Sequence, residues 1–105
     1  MYDLIKHIEW QRDISIEAFG PGCRSEGILK HIEKEVEEVR QNPNDLEELI
    51  DIILLAIDGA WRRGFTPEMI AMGLLNKVRK NEQRTWPDWR TAPEDEPIEH
   101  IKGDD

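Results

Sequence analysis

Apolar residues recur along most of this chain at the three-to-four spacing that places side chains on one face of an α-helix. Residues 3–19 carry Leu4, Ile8, Ser15 and Phe19 in this way, although Ile14 and Ile16 also fit a short alternating pattern. From Ser25, an expected N-cap, Ile28, Leu29, Ile32, Val36 and Val39 define one face of a second helix that Asn42 and Pro43 stop. A third helix is expected over 45–63, with Asp45 and Glu48 spaced as a capping box and Gly64 as its stop. It is apolar nearly all round, which predicts a place in the middle of a bundle with no apolar face left in water. The fourth opens at Thr66 as N-cap, with Pro67 in the first turn where its missing N–H costs nothing, and runs to Arg84 through Ile70, Leu74, Leu75 and Val78. Four helices joined by short turns predict an all-α, antiparallel four-helix bundle over residues 1–86. Residues 87–105 hold Pro87, Pro93 and Pro97 among acidic side chains without a sustained period. They read as an extended tail that Trp86, Trp89 and Ile98 can pin to the body or to a neighbouring subunit.

Some carboxylates interrupt this pattern. On a helical wheel of about 100° per residue, His31, Glu35 and Glu38 lie along one edge of the second helix's apolar arc, whereas Glu33 and Glu37 fall on the far side. In the third helix Glu48 and Asp51 break a surface otherwise made of Leu46, Leu49, Ile50, Ile52, Ile53, Leu54 and Leu55. Acidic pairs three residues apart share a helix face, and a hairpin across the short turn at 42–45 lets the two pairs face each other. Four carboxylates at such range repel strongly and are costly to bury while charged. A divalent cation resolves the conflict, and an all-oxygen donor set suits Mg²⁺ or Mn²⁺. Glutamates at this spacing also abound on solvated helices, so the joint presence of two facing pairs carries the expectation.

Lys77, Asn81 and Arg84 recur at spacings of four and three along the edge of the fourth helix's apolar stripe. Lys and Arg neutralise phosphate, Arg through a fork that grips two oxygens. Lys80 and Arg79 are explained by the dipole at the helix C-terminus.

Charge and length narrow the partners. A formal net charge of −9 argues against direct nucleic-acid binding, which depends on Lys and Arg displacing counterions. A bound phosphate compound would need metal ions as mediators. The single cysteine, Cys23, has no internal disulfide partner and no paired base, and the N-terminus lacks signal-peptide features. A cytoplasmic location is therefore expected. No apolar run approaches the roughly 20 residues of a membrane span. At 105 residues the chain buries only a modest core, so a homo-oligomer is expected, dimer or tetramer.

The pair Glu35-x-x-Glu38, then Glu48-x-x-Asp51, then Lys77-x-x-x-Asn81-x-x-Arg84-x-Trp86-Pro87, resembles the MazG-like all-alpha nucleoside triphosphate pyrophosphohydrolases. More narrowly, FGPG (19–22), HIEKEVEEV (31–39), DLEELIDIILLAIDGAWRRG (45–64) and KNEQRTWPDWR (80–90) resemble the dATP/dGTP pyrophosphohydrolase domain of phages and bacteria. The resemblance implies cleavage between the α- and β-phosphates of a nucleotide, giving the monophosphate and pyrophosphate. It implies Glu35, Glu38, Glu48 and Asp51 as Mg²⁺ ligands, with Glu38 or Glu35, rather than Glu48, also orienting the attacking water. Lys77 and Arg84 would then stabilise charge on the triphosphate, and Asn81 would hydrogen-bond a phosphate or sugar oxygen.

The remaining candidates are read from chemistry alone. His31 is placed to contact a phosphate or a metal-bound carboxylate, or to serve structure. Gln11 is suited to reading a base edge, and Trp10 and Phe19 to stacking or to core packing, with packing preferred. Asp58 and Arg62 are expected to form an i, i+4 ion pair, and Trp61 to sit in the core. Two other readings compete: an acidic helical inhibitor that mimics DNA, which needs its acids outside, and an inactive oligomeric scaffold.

Overall fold

The computed structural model describes residues 1–103; Asp104 and Asp105, the end of the expected tail, lie outside the described residues. Among the described residues there are four α-helices, α1 (Leu4–Phe19), α2 (Ser25–Gln41), α3 (Leu46–Arg62) and α4 (Pro67–Gln83), one 3-10 turn (Trp89–Thr91), and no strand. The all-helical class expected from the periodicity is thus the one observed. None of these helices is long and apolar enough to cross a membrane.

Local chemistry explains most of the helix ends. Asp3 caps α1 by accepting from the Lys6 N–H (3.1 Å), and Thr66 caps α4 through the Met69 N–H (3.1 Å). Gly20 and Gly64 follow α1 and α3 at φ 81° and 96°, a left-handed backbone that side chains disfavour. Two ends differ from expectation. Ser25 is the first residue of α2 rather than its cap; Arg24 occupies the cap at φ 51° without a side-chain hydrogen bond, while the Ser25 hydroxyl contacts Cys23 Sγ at 2.8 Å. Asp45 does cap α3, through the Glu47 N–H at 3.0 Å, but the expected capping box is only half formed. The Asp45 N–H donates to the Asn42 carbonyl (3.1 Å), so Glu48 is released from that duty.

The chain divides into two compact units, Met1–Met72 and a second beginning at Gly73, with the residues of α4 shared between them. In the first unit α2 and α3 run side by side as a hairpin and α1 packs on α3. Ile8, with no exposed surface, meets Ile57 and Trp61, and Leu4 and Ile70 pack against this cluster. Trp61 is core, as its position predicts.

The apolar surroundings of α3 are less complete than its composition suggests. Leu46, Leu49, Ile50 and Ile53 are exposed, and so are Trp10 and Phe19, which were expected to pack inside. Periodicity identifies an apolar face without saying what covers it, and within this unit α3 has α1 and α2 alongside and the first turns of α4 near its end. Exposed apolar patches of this kind mark interaction surfaces.

In the second unit the Pro-rich segment returns to the end of α4. The Ile101 N–H donates to the Thr85 carbonyl (2.9 Å), the Trp86 Nε1–H donates to the Asn81 carbonyl (2.9 Å), and the Trp86 and His100 rings meet edge-on at 6.0 Å. Asp88 caps the intervening 3-10 turn by accepting from the Arg90 N–H at 3.0 Å.

Candidate metal centre

The α2–α3 hairpin sets two acidic pairs against each other. Glu35 and Glu38, one turn apart on α2, and Glu48, in the first turn of α3, each bring a carboxylate oxygen within 4.8 Å of the others. Glu35 is 6% exposed, whereas Glu38 and Glu48 are half-buried. Such a trio of oxygens can hold a metal ion. Asp51 stands outside the trio, exposed, on the wall of an adjoining cavity of about 220 Å³ that it shares with His31, Glu35 and Asp58.

The electrostatics are those of carboxylates held together without compensation. Burial pushes the Glu35 carboxyl up, the close approach and charge of Glu38 and the charge of Asp51 add to this, and His31 opposes it. Glu48 is pushed up to about 7, by burial first and then by Glu38, with Asp45 and Glu35 contributing. His31 Nε2 lies 3.2 Å from Glu35 Oε1, but buried Glu35 Oε2 has no hydrogen-bond donor. An unpartnered buried carboxylate oxygen beside two more carboxylates is a donor set that fits a hard divalent cation.

A second hollow of about 120 Å³, walled by Phe19, Arg24, Ile28 and Arg62, shares His31, Leu55 and Asp58 with the cavity that Asp51 lines. Asp58 borders both, and its role differs from the expected one. Asp58 and Arg62 do not pair with each other. Asp58 accepts from Gln11 Nε2 (2.9 Å), Trp61 Nε1 (2.9 Å) and the Ser15 hydroxyl (3.0 Å). Arg62 donates to the carbonyls of Gly20 and Gly22 (both 2.7 Å) and to Ser15 Oγ (2.8 Å), and stacks 4.4 Å over the Trp61 ring. Partners 40 to 47 residues away, with Trp61 beside Asp58, outcompete the i, i+4 contact because they offer several well-placed bonds instead of one.

Gln11 is drawn into this network. Its amide also donates to the Leu54 carbonyl (2.8 Å), and its oxygen meets His7 Nε2 at 2.9 Å. Ser15, buried and bridging Asp58 to Arg62, had no signal in the sequence beyond its place on the buried face of α1. Asp58 did carry one, since it lies two helical turns beyond Asp51 on the same side of α3.

Lys77, Asn81 and Arg84 belong to the second unit, where they share a cavity of about 500 Å³. Arg84 Nη1 donates to Asn81 Oδ1 at 3.0 Å, which fixes the two side chains together.

A family model described as dATP/dGTP pyrophosphohydrolase matches residues 5–105. No curated protein and no solved structure matches.

Proposed function

We propose, from the premise that this chain belongs to the dATP/dGTP pyrophosphohydrolase family, that it hydrolyses deoxynucleoside triphosphates, dATP and dGTP first, to the monophosphate and pyrophosphate with Mg²⁺ or Mn²⁺. The observation that carries this reading is the convergence of Glu35, Glu38 and Glu48 around a buried carboxylate oxygen that has no donor. Glu35, Glu38, Glu48 and Asp51 are the residues that would hold the cation. When bound, it supplies Lewis acidity and lowers the pKa of water.

The chain's own groups have separate tasks. His31 holds Glu35 Oε1 and so fixes which oxygen points into the cluster. Glu38, or Glu35, orients the attacking water and takes its proton as the new bond to the α-phosphorus forms and the bond to the bridging α–β oxygen breaks, releasing pyrophosphate. Lys77 and Arg84 neutralise phosphate charge, and Asn81 supplies a hydrogen bond to a phosphate or sugar oxygen. Gln11 acts through Asp58 on the wall of the adjoining cavity rather than through a base edge. The burial of Glu35 counts against a DNA-mimicking decoy, which would display its acids in solvent. The exposed apolar residues of α3 support self-association.

The test is a panel of all canonical NTPs and dNTPs with Mg²⁺ and full product analysis. Pyrophosphate and dAMP or dGMP should appear fastest, and Glu38→Gln and Asp51→Asn should each abolish release while keeping the helical fold. Absence of pyrophosphate from every nucleotide, or full activity in both variants, would refute the proposal.

A further inference from the structure

Between α1 and α2 the chain turns through Gly20-Pro21-Gly22-Cys23-Arg24, and both ends of this turn are left-handed, Gly20 at φ 81° and Arg24 at φ 51°. Glycine adopts such a backbone freely, whereas an arginine does so only where its surroundings impose it. The turn is gripped from α3. Arg62 Nη1 donates to the Gly20 and Gly22 carbonyls at 2.7 Å each, and Nη2 donates to the Ser15 carbonyl (3.3 Å) and hydroxyl (2.8 Å). The guanidinium is itself fixed, stacked 4.4 Å over the ring of buried Trp61. Three of its four acceptors are backbone carbonyls, so the grip sets the path of the chain whatever side chains the turn carries.

That path matters because of what it walls. Phe19, just before the turn, and Arg24, at its end, line the hollow of about 120 Å³ together with Ile28. The hollow shares His31, Leu55 and Asp58 with the cavity beside the acidic cluster. The Phe19 ring is 61% exposed, so its place in the wall is set by the backbone at Gly20 rather than by core packing. With a phosphate chain held at the acidic cluster, the nucleoside end of the same molecule is what reaches the hollow.

We infer that Arg62 is a positioning residue: by holding Gly20 and Gly22 it sets the wall, from Phe19 to Arg24, against which the nucleoside end of the substrate rests, and it acts on none of the reacting atoms. The inference rests on the proposed nucleotide substrate, but the grip itself is measurable without turnover.

The experiment joins hydrogen exchange of the full chain, read by mass spectrometry over residues 20–24, to steady-state kinetics with dATP, dGTP and Mg²⁺. Arg62→Lys keeps the charge but lacks the fork that takes two carbonyls at once. Gly20→Ala leaves Arg62 intact and strains the turn instead, because φ 81° disfavours a Cβ. Exchange over 20–24 should be about fivefold faster in Arg62→Lys than in the parent, and saturating dAMP in chelator should slow it in the parent only. Both variants should raise KM about tenfold, with kcat within about threefold and Mn²⁺ binding within about twofold. Thr66→Ala, which destabilises the fold through the α4 cap, should keep the parent's exchange over 20–24 and its KM, separating positioning from a general loss of stability. Parent-like exchange in Arg62→Lys, parent-like KM in both variants, an equal rise of KM in Thr66→Ala, or no slowing of the parent by dAMP would each overturn the inference. A parent that hydrolyses no nucleotide, yet whose turn dAMP slows, would refute the proposed reaction and leave the role of Arg62 standing.

Discussion

Replacing Asp58 by Ala should be among the most damaging single changes in this protein, because three side chains from two helices converge on one carboxylate. It accepts from Gln11 and Ser15 of α1 and from Trp61 one turn on in α3, at 2.9, 3.0 and 2.9 Å. Hydrogen bonds to a charged acceptor contribute about 1.5–3 kcal/mol each, but the three losses do not add. The Gln11 amide retains the Leu54 carbonyl, so the Ser15 O–H and the Trp61 Nε1–H, both on buried side chains, are the donors left without an acceptor. A total of about 2–4 kcal/mol follows, which for a domain of this size lowers Tm by roughly 10–20 °C. Asp58→Asn keeps an acceptor for Gln11 and Trp61 and should cost about 1 kcal/mol. Urea unfolding followed by circular dichroism, at one fixed protein concentration, measures both. An Asp58→Ala protein within about 0.5 kcal/mol of the parent would refute the claim that this network joins α1 to α3.

Further outcomes follow from the same structure. A carboxyl whose folded pKa lies above its unfolded value stabilises the fold while protonated, and that contribution is lost as pH rises through the folded value. Glu35 and Glu48 are both raised, Glu48 to about 7, so the metal-free protein should melt lower at about pH 8 than at about pH 5.5. Mg²⁺ should restore the difference at the higher pH and do little at the lower, where protons occupy the site; equal melting temperatures without metal would contradict this. Light scattering should report a dimer or tetramer that Leu49→Glu with Ile53→Glu dissociates, and a monomeric parent at micromolar concentration would contradict the reading of the exposed apolar residues. Thr66→Ala removes the α4 cap and should cost about 1 kcal/mol by urea titration, with no change in metal binding.

What the sequence made legible was whatever short-range chemistry decides. The ends at Asp45, Thr66 and Gly64 follow, because each satisfies or releases backbone groups within its own turn. The inward edge of α2 was legible too, since at about 100° per residue Glu35 and Glu38 share one side of the helix and Glu33 and Glu37 fall on the other. Long-range partners were not. Nothing in the i, i+4 spacing of Asp58 and Arg62 announces that Ser15 and the carbonyls of Gly20 and Gly22 will claim them. Trp10 and Phe19 show the same limit for packing: Phe19 sits on the expected helix yet is 61% exposed. Asp51 shares its turn with Glu48 but reaches only the cavity wall, because three residues along α3 carry it past the point where α2 presents Glu38. The fold-back of residues 98–102 was hidden by an aperiodic sequence, in which contacts such as the Ile101–Thr85 backbone bond and the meeting of the His100 and Trp86 rings do the work of a helix face.

The central claim, that acidic side chains of α2 and α3 turn inward to share a divalent cation, is tested most directly by Mn²⁺ titration monitored by electron paramagnetic resonance at about pH 8, where protons compete least. The account predicts saturable binding by the parent protein and its loss in Glu35→Gln, a change that keeps shape while removing the buried charge. Undiminished Mn²⁺ binding by Glu35→Gln, or none by the parent, would contradict it.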